Sequence, residues 1–268
     1  MLGPAAALGL VPFSVISGAE QEETMADFRN TNVRAATKTT AGVAYDEGLR
    51  AYMLRVYNLM ALGLGITGVA AYGTYQLALS SPAFAQLLFA SPLKWVIMLA
   101  PLGMVFFLSA RVNKMSVSAA QTSFWIFAAI MGISLSSIFM VFTGASIVQT
   151  FFVTAASFGA LSLYGYTTKR DLSAMGSFLM MGLFGLIIAM VVNIFLASSA
   201  MQFVISAIGV LIFAGLTAYD TQSIKDMYYE VQADETMMGR SAIMGALRLY
   251  LDFINLFMFL LQFMGNRE

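Results

Sequence analysis

The chain has 268 residues, of which 59% are hydrophobic and 10% charged, and its formal net charge is zero. A soluble domain carries roughly 25% charged residues, so this is the composition of a polytopic membrane protein, and the lack of a basic surplus speaks against nucleic acid as a partner. There is no cysteine and no histidine, which excludes disulfides, thiolate chemistry, the usual base of a serine or cysteine hydrolase and the commonest ligand for zinc, copper or iron.

Residues 1–18 are apolar and give way to a polar stretch. They resemble the core of a signal peptide but lack its positive n-region. Met25 opens a second plausible start, so residues 1–24 are expected to be a dispensable leader. The stretch up to Arg50, with Arg29, Arg34 and Lys38, reads as a polar, mobile tail. Residues 1–50 are thus set apart from a single transmembrane domain over residues 51–268.

Seven apolar runs follow, at about 57–79, 93–111, 120–142, 147–166, 176–197, 202–222 and 243–264. Each is close to the ~20 residues that cross a bilayer as a helix. The fold class is therefore an all-α, seven-helix membrane bundle. Pro101 lies inside the second run and is expected to kink it, because it removes a backbone donor. No internal repeat supports the inverted-repeat architecture of many transporters. Ala61 with Gly65, and Gly185 with Ala189, are spaced for close helix approach.

Basic residues alternate from connection to connection. Arg55, Arg111, Lys114, Lys169, Arg170, Lys225 and Arg240 fall on one side. The opposite side has only Lys94, which can snorkel beside Trp95. The positive-inside rule then puts the N-terminus in the cytoplasm and, after seven crossings, the C-terminus outside.

Two carboxylates interrupt the last two runs, Asp220 and Asp252. An ionisable group inside a span is costly unless paired or wetted, and by default marks a functional site. At a rise of ~1.5 Å per residue, Asp220 lies roughly 5–8 Å inside the cytoplasmic boundary and Asp252 about 15 Å inside it. Arg248 precedes Asp252 by four residues and shares its helix face. Arg111 ends the second run on the same side. Two carboxylates in contact cannot both ionise cheaply, so they would share a proton and respond to pH. Asn193 and Asn255 are expected as interhelical glue, and Tyr219, Tyr228, Tyr229 and Tyr250 as residues of an aromatic belt.

Three motifs, YGYTTKRDLSAMGSFLMMGL from Tyr164, FAGLTAYDTQSIKDMY from Phe213 and ALRLYLDFINLF from Ala246, resemble the Bax inhibitor-1 (transmembrane Bax inhibitor motif) family, in its bacterial inner-membrane branch. The likeness runs from about Glu47 to the end. It implies seven spans around a central helix and a pH-sensitive calcium leak. Asp220 and Asp252 match the family's aspartate pair, which would be the sensor, the gate and the place where calcium passes. Arg111 matches the latch on the second span, with Arg248 as a secondary residue. The resemblance implies no enzyme activity and no cofactor. It leaves an alternative role as an interaction protein for a membrane-bound ATP-dependent protease, for which the polar connection 226–240 would be the docking surface. Intramembrane aspartyl proteases also resemble the chain at Tyr219-Asp220, but Leu249, Tyr250 and Leu251 stand where their second aspartate needs glycines.

A reporter that is active only in the periplasm should work when fused after Glu268 and fail when fused at Asp171. The reverse pattern would show that a span has been miscounted.

Overall fold

The computed structural model describes residues 18–266, with side chains from Glu47 onward. The expected leader and most of the expected tail therefore lie outside the residues with described side chains. Among the described residues, seven helices are long and apolar enough to cross a membrane. They are α1 (Gly18–Ser80, with Glu47–Ser80 as its spanning part), α2 (Leu93–Arg111), α3 (Val117–Leu135), α4 (Gly144–Thr167), α5 (Ser173–Leu196), α6 (Ser199–Val231) and α7 (Glu235–Met264). Each expected apolar run lands on one of them. Pro101 is buried within α2, which continues to Arg111.

Local chemistry sets the helix starts. Side chains of Ser116, Thr143, Ser198 and Asp234 accept the first free backbone N–H groups of α3, α4, α6 and α7. The connection between α6 and α7 is much shorter than the polarity of residues 226–240 suggests. Helix α6 continues to Val231 and α7 begins at Glu235, capped by Asp234. Polar residues mark where a helix leaves the bilayer, not where it ends, and Lys, Met and Glu are good helix formers. Arg240 belongs to α7 and donates to the carbonyls of Met115 and Asn113, on the connection from α2 to α3.

Between α5 and α6 the turn is tighter still. Ala197 ends α5 in the left-handed region, at φ 48°, and Ser198 already caps α6. A side chain in that region costs roughly 1–2 kcal/mol.

Helix α7 is the centre of the bundle. Two-thirds of its most apolar window (67%) is buried, against 11% for α2. Ala242, Ala246, Leu249, Tyr250 and Leu261 are fully enclosed. Tyr250 meets Phe124 and Phe127 of α3 edge to face, at 5.9 and 5.3 Å between ring centres. Its hydroxyl lies 2.6 Å from that of Thr67 on α1. Thr67 can give its single proton to the carbonyl of Gly63 or Ala128, so Tyr250 donates to Thr67. Tyr250 and Tyr228 are thus core residues and not part of an aromatic belt. Tyr250 can sit there because its one polar atom has a partner within the bundle.

Lipid tails are as apolar as leucine, so helices in a bilayer associate through fit and polar bonds. Helix α4 approaches α6 closely. A Cβ added at Gly165 would lie 2.2 Å from the carbonyl oxygen of Ala218, which is backbone and cannot step aside. Gly159, two turns earlier on α4, has nothing within 4 Å of the same position.

Gly165→Ala should therefore destabilise the protein by about 1–3 kcal/mol and lower its unfolding temperature in detergent, while Gly159→Ala leaves it unchanged. Equal melting of the two variants would contradict the close approach of α4 to α6.

Candidate functional site

The site is built on α6 and α7, which pack against each other along their length. Helix α5 packs on α6 and leaves a crevice of about 340 Å³ between itself and α7. Its apolar wall includes Met180, Leu183 and Met190 of α5 with Phe213 and Phe259, whose rings stack at 5.7 Å. Asp220, Arg248, Asp252 and Asn255 supply the polar part.

Asp252 is buried, at 5% exposure, whereas Asp220 is half-buried. Their carboxyl groups are within hydrogen-bonding reach of each other. The Arg248 side chain reaches the exposed rim of the same crevice, and its charge acts on both carboxyls. Oδ2 of Asp252 is buried without a hydrogen-bond donor among the described residues. Two ionised carboxylates have no proton to place between them. A single proton on either one turns the contact into a hydrogen bond and relieves a desolvation cost of at least about 1–3 kcal/mol.

Sequence spacing brings Asp220, Asp252 and Arg248 together as expected. Arg111 is not at this place: it is exposed at the end of α2 and does not line the crevice. Among the described residues, no three carboxylates, histidines or cysteines gather as a metal would require. The asparagines divide. Asn193 donates to Gln202, which donates to Gln262, so one chain ties α5, α6 and α7 at the end away from Arg111. Asn255 lines the crevice and donates to the Leu251 carbonyl of its own helix.

One residue carried no sequence signal beyond its polarity in an apolar run. Gln222, half a turn beyond Asp220, accepts the N–H of Leu172 and donates to the carbonyl of Arg170, both at 2.8 Å. Lys225 donates to the Tyr166 carbonyl at 3.0 Å. The connection from α4 to α5 is thereby fastened to α6 beside the carboxylates. Within that connection, outside the spans, Asp171 accepts the N–H of Ser173 at 2.8 Å, and hydrogen bonds from Ser173 hold its carboxyl below the usual carboxylate range.

A family model described as "Inhibitor of apoptosis-promoting Bax1" matches residues 49–268. A protein of Rickettsia prowazekii is 49% identical over 235 residues, covering 88% of this chain and 98% of that one. A Caulobacter vibrioides protein is 46% identical over 254 residues, covering 91% and 100%. Inner membrane protein YbhL of Escherichia coli is 46% identical over 223 residues, covering 82% and 94%. The chain belongs to the Bax inhibitor family matched by that model. With its seven apolar helices, it is a multi-pass inner-membrane protein.

Gln222→Leu should release the connection. Losing about 1.4 kcal/mol of local hydrogen bonding makes opening about tenfold more frequent, so trypsin should cut after Lys169 and Arg170 about tenfold faster. Unchanged cleavage would mean that the clamp holds nothing.

Proposed function

We propose that this family member is a pH-gated calcium leak of the inner membrane, a conduit and not an enzyme, with its N-terminus in the cytoplasm and its C-terminus outside. Asp220 and Asp252 are the gate, and calcium is the permeating ion. The observation that carries this reading is the buried, unpartnered Oδ2 of Asp252 against a second carboxyl in an otherwise apolar crevice. Such a pair changes its charge by one proton, and with it the force between α6 and α7. Hard cations prefer oxygen ligands, and the crevice offers carboxylates and an amide. Two acids suit passage better than retention.

Two effects compete as pH changes. Alkali removes the shared proton and sets carboxylate against carboxylate. Acid neutralises the charge that an arginine holds, because a neutral acid binds guanidinium far less strongly than an ion does. With Arg248 over the crevice the second charge is compensated, so acid is the opening signal. Arg111 is the latch in a closed arrangement, in which α2 lies across the pair. That arrangement would require α2, which packs on α3, to move toward α6 and α7. The alternative reading is docking to a membrane-bound ATP-dependent protease, for which the 226–240 stretch, mostly helix, would be the surface.

In liposomes that hold only the purified protein, calcium flux should rise on acidification. Asp220→Asn and Asp252→Asn should each flatten that response, and Arg111→Ala should raise the leak at neutral pH by about tenfold, the worth of a charge-assisted bond. An unchanged pH profile in both Asn variants, at normal protein levels in the bilayer, would show that the pair only packs.

A further inference from the structure

A second crevice, of about 450 Å³, lies between α1 and α4 at the end of the bundle that carries the basic residues. Arg50 and Tyr166 stand at its mouth, and Met53, Leu54, Phe158 and Leu163 form its sides. Leu54 and Leu163 face outward, toward lipid, while Met53 and Phe158 are buried and form the back. From Tyr166 to Phe158 the crevice descends eight residues, or ~12 Å. This is a vertical slot that begins at the headgroup level and ends among acyl chains.

The polar atoms in its back wall are spent. Thr221 gives its hydroxyl proton to the Thr217 carbonyl at 2.8 Å. It therefore accepts from Ser162, at 2.9 Å, and Ser162 accepts from Tyr57, at 2.6 Å. Every proton in the chain Tyr57–Ser162–Thr221 points inward, so the slot offers hydrocarbon and no hydroxyl donor. The mouth is the opposite. Arg50 is exposed there, and no carboxylate is among the residues that line the slot. Lys225 does not line the slot; it stands behind Tyr166, 5.9 Å from that ring and bonded to the Tyr166 carbonyl. The planar fork of arginine matches a phosphate better than any other side chain does.

We propose that this slot binds one acidic phospholipid of the surrounding bilayer, with its phosphate on Arg50 and one acyl chain between Leu54 and Leu163. A soluble anion would leave the apolar depth empty. A lipid without net charge would bring no net negative charge to a mouth at which, among the described residues that line it, no carboxylate stands. Only a molecule with both parts fills the whole site.

The test is native mass spectrometry of the full chain in detergent, with phosphatidylglycerol and phosphatidylcholine added at equal concentration. Wild type should retain one phosphatidylglycerol in preference to phosphatidylcholine. Arg50→Gln should lower that preference about fivefold, the worth of one basic residue near a charged lipid surface. Gly159→Phe should remove the bound lipid of either type, because position 159 opens on the slot with nothing within 4 Å. Its melting in lipid-free detergent reports whether it has folded. Should it not fold, Arg50→Gln decides alone, since that side chain is exposed. Equal retention of the two lipids by wild type, or unchanged preference in Arg50→Gln, would overturn the proposal.

Discussion

A single hydroxyl contact in the middle of the bilayer, Tyr250 to Thr67, closes the core. Tyr250 belongs to the most buried of the spanning helices. It is fully buried, and its ring fills the space against Phe124 and Phe127. Such a residue is tolerable in hydrocarbon only if its hydroxyl is satisfied, and Thr67 does so while passing its own proton to a backbone carbonyl. The contact fixes α7 against α1 and α3. It thereby fixes the rotation of α7, and rotation decides which way Asp252 and Arg248 point, half a turn on either side of Tyr250.

The opposite face of α7 is looser by design of its neighbours. Helix α5 is tied to α6 and α7 at one end through Asn193, Gln202 and Gln262. At the other end the connection before α5 is fastened to α6 by Gln222. Between those fastenings α5 offers mostly methionine and leucine to the crevice, side chains that adapt their shape at low cost. The carboxylate pair thus faces a wall that can yield without losing its ends.

The spans and the meeting of Asp220 with Asp252 and Arg248 were legible in the sequence because hydropathy and the four-residue helix repeat encode them directly. The burial of Tyr250 was not, since an aromatic with a hydroxyl fits a membrane boundary equally well until its partner, 183 residues away, is known. The 226–240 stretch misled for a related reason: polarity reports contact with water, and a helix can leave the membrane without ending. Gln222 was invisible because its partners are backbone atoms of a connection, which no side-chain pattern announces. Arg111 could not be placed by depth alone, because depth says nothing of which helix packs beside which, and α2 packs on α3.

The two-residue turn at Ala197 and Ser198 bears on how the chain enters the membrane during synthesis. Helices joined so tightly cannot choose their crossings independently, so α5 and α6 partition as one hairpin. Helix α5 is the most apolar of the seven spans, and α6 brings the first buried carboxylate. The hydrocarbon affinity of the leading arm offsets the cost of the carboxylate on the trailing one.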